Sequence, residues 1–235
     1  MKVKLKKIGL FFILLSMANV RTGWSQGTFQ NLNFESAVIV PVVVQGITFA
    51  QFGPAFPGWT AYFNTTPLSS TALINYNDVS VGSSALGITT QATGPGSSIF
   101  NYTAILQGSI GTGQFAPEVS LAQTGLIPLG TLSLRFYGRR GFGNFFRVSL
   151  GGQSLTPMVL QDFGTYQEYG ANISGFTGQT AELRFTQGNG PTGYGDSFLD
   201  EISFSPVAVI PEPGTWALLG LGGALLWSGV RRRRN

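Results

Sequence analysis

Two short stretches near opposite ends of the chain hold the residues most able to do chemistry. Asn31-Leu32-Asn33-Phe34-Glu35 stands near the start, and Ser197-Phe198-Leu199-Asp200-Glu201-Ile202-Ser203-Phe204 near the end. Read as a strand, the first puts Asn31, Asn33 and Glu35 on one face and Leu32 and Phe34 on the other. In the second, Asp200 shares parity with Phe198, Ile202 and Phe204, an apolar face. A carboxylate there is costly unless it is paired, hydrogen-bonded or bound to a metal. Arg135, Arg147 and Arg184 all point outward by the same parity, so no internal arginine offers itself as the partner. Trp59, which follows Pro57-Gly58, forms a second candidate with Tyr62. An indole face can stack on a sugar ring, with Tyr62 or Asn64 adding polar contacts. The alternative is a core residue that seals one edge of the fold.

Composition removes most other chemistry. The chain of 235 residues has no histidine and no cysteine, and its only lysines are Lys2, Lys4, Lys6 and Lys7. Ser-His-Asp triads, histidine-based zinc sites, thiol nucleophiles and disulfides are thereby excluded. Between Gln26 and Val209 a Schiff base or a Ser-Lys dyad is excluded as well. Carboxylates, tyrosines and arginines remain, and two carboxylates suffice for a glycoside hydrolase. The nine acids between those positions are scattered, apart from the adjacent Asp200 and Glu201, whose side chains should face opposite ways on a strand.

The elements that must position these residues read as strands. Leu132, Leu134 and Phe136 alternate with Thr131, Ser133, Arg135 and Tyr137; Phe146, Val148 and Leu150 repeat the pattern before the turn Gly151-Gly152. Ala181, Leu183 and Phe185 alternate with Glu182, Arg184 and Thr186. Further candidate strands cover 28–35, 59–63, 72–76, 98–106 and 197–205. With 33 glycines and 12 prolines in the chain and no long helical period between the two ends, the expectation is all-β: a two-sheet jelly-roll sandwich over 26–209.

The ends read differently. Lys2, Lys4, Lys6 and Lys7 precede an apolar run over 8–17, and small residues follow at Gly23 and Ser25. This is the pattern of a signal peptide over 1–25, with cleavage before Gln26. At the other end, 210–235 begins with Pro211-Glu212-Pro213, continues as an uncharged apolar run over 215–230 and closes with Arg231, Arg232, Arg233 and Arg234. The prolines favour an extended spacer, the run is about long enough for a single membrane helix, and the arginines should stay cytoplasmic. Nine of the positive charges lie in these two ends, so the formal +4 of the whole chain is misleading. Between them stand five arginines against nine carboxylates, a formal −4, which leaves no basic patch for nucleic acid.

The C-terminal arrangement over 209–234 resembles the PEP-CTERM sorting signal of Gram-negative bacteria. That resemblance implies recognition by an exosortase, a transient stay in the inner membrane, removal of the helix and arginine tail, and arrival at the cell surface or in the extracellular exopolysaccharide matrix. The segment between resembles jelly-roll carbohydrate-binding modules of the galactose-binding-like class. In those, an opening Asn-x-x-Phe-Glu pairs with a closing Leu-Asp-Asp-Ile/Val; here the closing run is Leu199-Asp200-Glu201-Ile202, with Glu201 in place of the second Asp. The resemblance implies a structural calcium at the junction, for which Glu35, Asp200 and backbone carbonyls supply hard oxygen ligands. The alternative is that both carboxylates hydrogen-bond backbone. The expected function is an exported, non-catalytic surface protein that binds exopolysaccharide. Its rivals are a carboxylate-dependent glycoside hydrolase or lyase, and a structural surface protein without ligand.

Overall fold

A computed structural model of the chain describes residues 28–79, 84–91, 98–109, 117–139, 146–189 and 195–209. The expected signal peptide over 1–25, Pro211, Glu212 and Pro213, the helix over 215–230 and the arginines 231–234 lie outside those residues.

The first strands are β1 (Pro41–Val44), β2 (Ile47–Gln51), β3 (Thr60–Phe63), β4 (Thr66–Pro67) and β5 (Leu73–Tyr76). The middle of the chain supplies β6 (Ala85–Thr89), β7 (Thr103–Gln107), β8 (Val119–Leu126), β9 (Ser133–Arg139) and β10 (Phe146–Leu150). The last are β11 (Gln153–Leu155), β12 (Met158–Asp162), β13 (Tyr166–Asn172), β14 (Thr180–Gln187) and β15 (Asp196–Ser205). Nine of them form one sheet in the order β1-β2-β5-β6-β7-β15-β9-β13-β12, and six form the other in the order β11-β10-β14-β8-β3-β4. All neighbours are antiparallel except β5 and β6. The architecture is the expected all-β sandwich.

Alternation along each strand decides which side chains enter the space between the sheets. Leu134 and Phe136 of β9, Val148 and Leu150 of β10 and Leu183 and Phe185 of β14 are fully buried there. Aromatic rings fill the core around them. Phe136 meets Phe185 edge-on at 5.4 Å and stacks on Tyr169 at 5.6 Å, and Phe34 meets Phe56 edge-on at 5.7 Å. Such pairs each add about 0.5–1.5 kcal/mol beyond their area burial. Leu132 departs from the expected alternation: β9 starts at Ser133, and Leu132 lies exposed at the sandwich end. β7 likewise starts at Thr103, because 99–102 bend instead of extending it.

The segment 28–35 is not a strand. Asn31 and Phe34 adopt positive φ (48° and 57°), and Asn31 Oδ1 accepts the backbone N–H of Ser36 at 2.8 Å. The local side-chain bonds that asparagine offers win over extension here. Leu32 and Phe34 are still buried, so alternation located the apolar residues while mistaking the backbone. Gly125 lets this segment lie on β8, since a Cβ there would stand 2.7 Å from the Phe29 ring. The segment reaches the last strand as well: Ile202 donates its N–H to Leu32 O at 3.0 Å.

That contact falls at a β-bulge. Asp200 pairs with Tyr137 and Ser203 with Arg135, so two residues of β15 oppose Phe136, and Glu201 takes φ of 45°. A bulge reverses strand parity. Leu199, Ile202 and Phe204 enter the core, whereas Asp200 and Phe198 face the outside of the nine-stranded sheet. The apolar face expected for Asp200 is corrected accordingly.

Candidate functional site

The outer face of the nine-stranded sheet carries the candidate site. Its central strands β7, β15, β9 and β13 present Thr103, Asp200, Tyr137, Arg135, Tyr166 and Glu168 on that side. Four rings converge above them. Phe163 and Tyr166 stack at 4.9 Å, Tyr137 meets Tyr166 at 5.6 Å, and Phe100 meets Tyr137 at 5.5 Å and Tyr166 at 5.8 Å. Phe100 and Phe163 remain 40% and 41% exposed. An exposed aromatic platform within a polar surround is suited to the apolar face of a sugar ring.

Charged and amide groups border the rings. Arg135 pairs with Glu168 at 3.1 Å. Burial raises the Tyr137 hydroxyl pKa, and Glu168 adds to it, so the phenol stays a neutral donor and acceptor. Beyond Tyr137 the guanidinium of Arg139 lies 4.1 Å over the Phe198 ring. Partial burial lowers the Arg139 pKa while Asp196 raises it. Gln107 Nε2 donates to Asp196 Oδ1 at 3.0 Å, and Asn75 Nδ2 donates to Gln107 Oε1 at 3.3 Å. The result is a hydrogen-bonded polar row across the sheet, with Gln107 buried at its centre and Asn75 and Asp196 half-buried on either side.

The two carboxylates singled out in the sequence flank one segment, 101–103. Glu35 accepts Asn101 Nδ2 at 3.1 Å and the Tyr102 N–H at 3.3 Å. Asp200 accepts the Thr103 hydroxyl at 2.8 Å and the Glu201 N–H at 2.8 Å. Thr103 Oγ1 also accepts the Ile99 N–H at 2.7 Å, which closes the bend that presents Phe100. Asp200 has no exposed surface, and burial pushes its carboxyl up to about 8 against the hydrogen bond from Thr103. Both charges acting on it, Glu201 and Glu35, raise it further. Glu201 is itself raised, by burial first and Glu35 second. These oxygens suit calcium in type. In number they fall short: among the described residues no group of three acidic side chains could hold a metal ion, so backbone carbonyls would have to complete the shell.

Trp59 and Tyr62 are not brought together. Trp59 is 6% exposed, donates its indole N–H to Asn31 O at 3.0 Å and packs against Phe34 and Phe185. Its ring has no face free for a sugar, so the stacking role expected of it is corrected to a core role. Tyr62 lies on the opposite side of β3, under the guanidinium of Arg184 at 4.3 Å. Sequence reasoning missed the ring cluster because its rings come from three separate segments, around Phe100, at Tyr137 and at Phe163 with Tyr166. The available signals were the outward parity of Tyr137 and the run 163–169, which carries three aromatics.

Residues 209–234 match the PEP-CTERM protein-sorting motif. The chain therefore carries the sorting signal of an exported, membrane-anchored precursor of Gram-negative bacteria. No curated protein matches the chain. Among solved structures it is similar to TmCBM61 in complex with beta-1,4-galactotriose, at 12% identity and a TM-score of 0.43, over 77% of this chain and 99% of that one. It is also similar to the enzymatically active domain of bacteriophage CBA120 tailspike protein 4, at 11% identity and a TM-score of 0.37, over 63% of this chain and 19% of that one. At these values neither likeness bears on what this chain does.

Proposed function

We propose that the protein is a non-catalytic surface or matrix protein that binds extracellular polysaccharide on the outer face of its nine-stranded sheet. The observation that carries this reading is the cluster of Phe100, Tyr137, Phe163 and Tyr166, two of whose rings stand about two-fifths exposed beside amide and charged groups. Stacked rings orient a sugar face, and the half-buried Asn75, Asp196 and Arg139 meet its hydroxyls, the first two held by the buried Gln107. The sorting motif supports the reading, since it marks an exported precursor. Exosortase is the processing partner that the motif implies.

A glycoside hydrolase or lyase is the alternative. Asp200 has the raised pKa of a general acid, yet it has no exposed surface from which to protonate a glycosidic oxygen, which favours binding over hydrolysis. Calcium at Glu35 and Asp200 belongs to the same proposal as a structural ion. It would offset the charge of a buried carboxylate and fasten segment 101–103, leaving the ligand itself to the rings. The test of the binding reading is co-sedimentation of the protein with exopolysaccharide from its producing bacterium, with release of reducing ends measured in parallel. Co-sedimentation without new reducing ends is the expected result. New reducing ends would assign hydrolysis, and neither effect would leave a structural protein.

A further inference from the structure

The chain leaves one end of the sandwich toward its sorting motif, and that end carries no charge. It is built from 126–132, 172–180 and 205–209, and these three segments contain no charged residue. Their backbones are knitted together: Ile127 N–H donates to Gln179 O at 2.9 Å, Ile173 N–H to Leu132 O at 3.0 Å and Leu132 N–H to Ser205 O at 2.8 Å. Leu126, Leu129, Leu132 and Val207 nevertheless project into solvent, Leu129 at 87% exposure. That exposure is held in place. Thr177 Oγ1 accepts the Gly130 N–H at 2.8 Å and donates to Pro128 O at 3.2 Å, and Thr131 Oγ1 donates to Pro128 O at 2.7 Å. Four apolar side chains exposed together on one uncharged end offer a contact surface, where a single one would not.

The length of the tether says what the contact is. Val209 lies against Gly170, two residues from the end of β13, and the apolar run of the sorting motif begins six residues later. Six residues span at most roughly 20 Å even when fully extended. In the anchored precursor this end of the domain therefore cannot move far from the lipid interface, where uncharged apolar side chains partition favourably and charged ones do not. We propose that Leu126, Leu129, Leu132 and Val207 dock on the bilayer surface while the chain is anchored, holding the domain upright against it. The proposal rests on 215–230 being the membrane segment. It leaves the polysaccharide-binding reading untouched.

The chain has no cysteine, so one introduced thiol gives a unique label. The full chain is reconstituted into vesicles of phosphatidylethanolamine and phosphatidylglycerol that contain lipid with a nitroxide at carbon 5 of one acyl chain. A polarity-sensitive fluorophore is placed on Leu129→Cys or, at the opposite end of the sandwich, on Thr65→Cys. Contact quenching by the buried nitroxide should remove at least half of the emission at 129 and little at 65, and Val207→Asp should restore most of it. Unquenched label at both positions in a chain that floats with the vesicles would overturn the docking alone. Full quenching that persists in Val207→Asp would assign the effect to the tether and overturn it too. A chain that does not float with the vesicles would overturn the anchor reading and the docking with it.

Discussion

Glu35 and Asp200, 165 positions apart in the sequence, are joined through three consecutive residues. Asn101 and Tyr102 bind the first, and Thr103 binds the second. The pair therefore acts on the binding face without facing the ligand: it sets the bend from which Phe100 reaches Tyr137 and Tyr166.

Asp200 predicts an unusual pH dependence. Its folded carboxyl titrates at about 8, above the ordinary 3.8, so the folded state prefers the protonated form. That preference is fully expressed below the ordinary value and is lost as pH rises through about 8. Each unit of displacement corresponds to about 1.4 kcal/mol. In chelator, the melting temperature of the wild type should fall between pH 5 and 9, whereas Asp200→Asn should be flatter and more stable at the alkaline end. Parallel curves for the two proteins would show that Asp200 is not the group responsible.

Calcium should reverse that loss. A ligand bound only by the folded state at a hundredfold excess over its Kd adds about 2.7 kcal/mol. At pH 8 the melting temperature should rise by several degrees with calcium over chelator, magnesium should substitute poorly, and the gap should vanish in Asp200→Asn. Identical curves with calcium and chelator would leave Glu35 and Asp200 as hydrogen-bonding groups.

Phe136 touches Phe146, Tyr169 and Phe185 with no exposed surface. Phe136→Ala should cost about 3–5 kcal/mol in denaturant unfolding, because the rings around it cannot collapse into the space it leaves. A loss below about 1 kcal/mol would contradict the packing described for this layer.

Much of the sandwich was legible because alternation survives wherever one strand face is wet. β10, the first five residues of β14 and 201–204 of β15 follow it residue by residue. β6 and β7 were harder to read, since both faces are buried and no alternation marks them. The β1–β2 hairpin was missed because its apolar residues are largely exposed. The junction of 28–35 with β15 was legible in its partners but not in its shape. Positive φ at Asn31, Phe34 and Glu201 leaves no periodic trace in the sequence, and the bulge at Glu201 turned Asp200 to the other face. The rings of the binding face could not be joined from sequence, because register across β9 and β13 is a tertiary fact.

Processing at the sorting motif gives a prediction independent of the binding face. Protein extracted from the cell surface should begin near Gln26 and lack the segment from Trp216 to Asn235, as intact mass can read directly. Replacing Pro211, Glu212 and Pro213 by alanine should hold the protein in the inner membrane. Surface protein that still carries Arg231 to Arg234 would contradict exosortase cleavage.

The central claim is that the aromatic face binds polysaccharide, and affinity electrophoresis through gels containing the producer's exopolysaccharide tests it most directly. Detergent-solubilised full chain should be retarded. Tyr166→Ala should weaken binding about tenfold, equivalent to about 1.4 kcal/mol, while Tyr62→Ala on the other sheet should migrate as the wild type does. Equal retardation of wild type, Tyr166→Ala and Tyr62→Ala would contradict the account, as would no retardation of any of them.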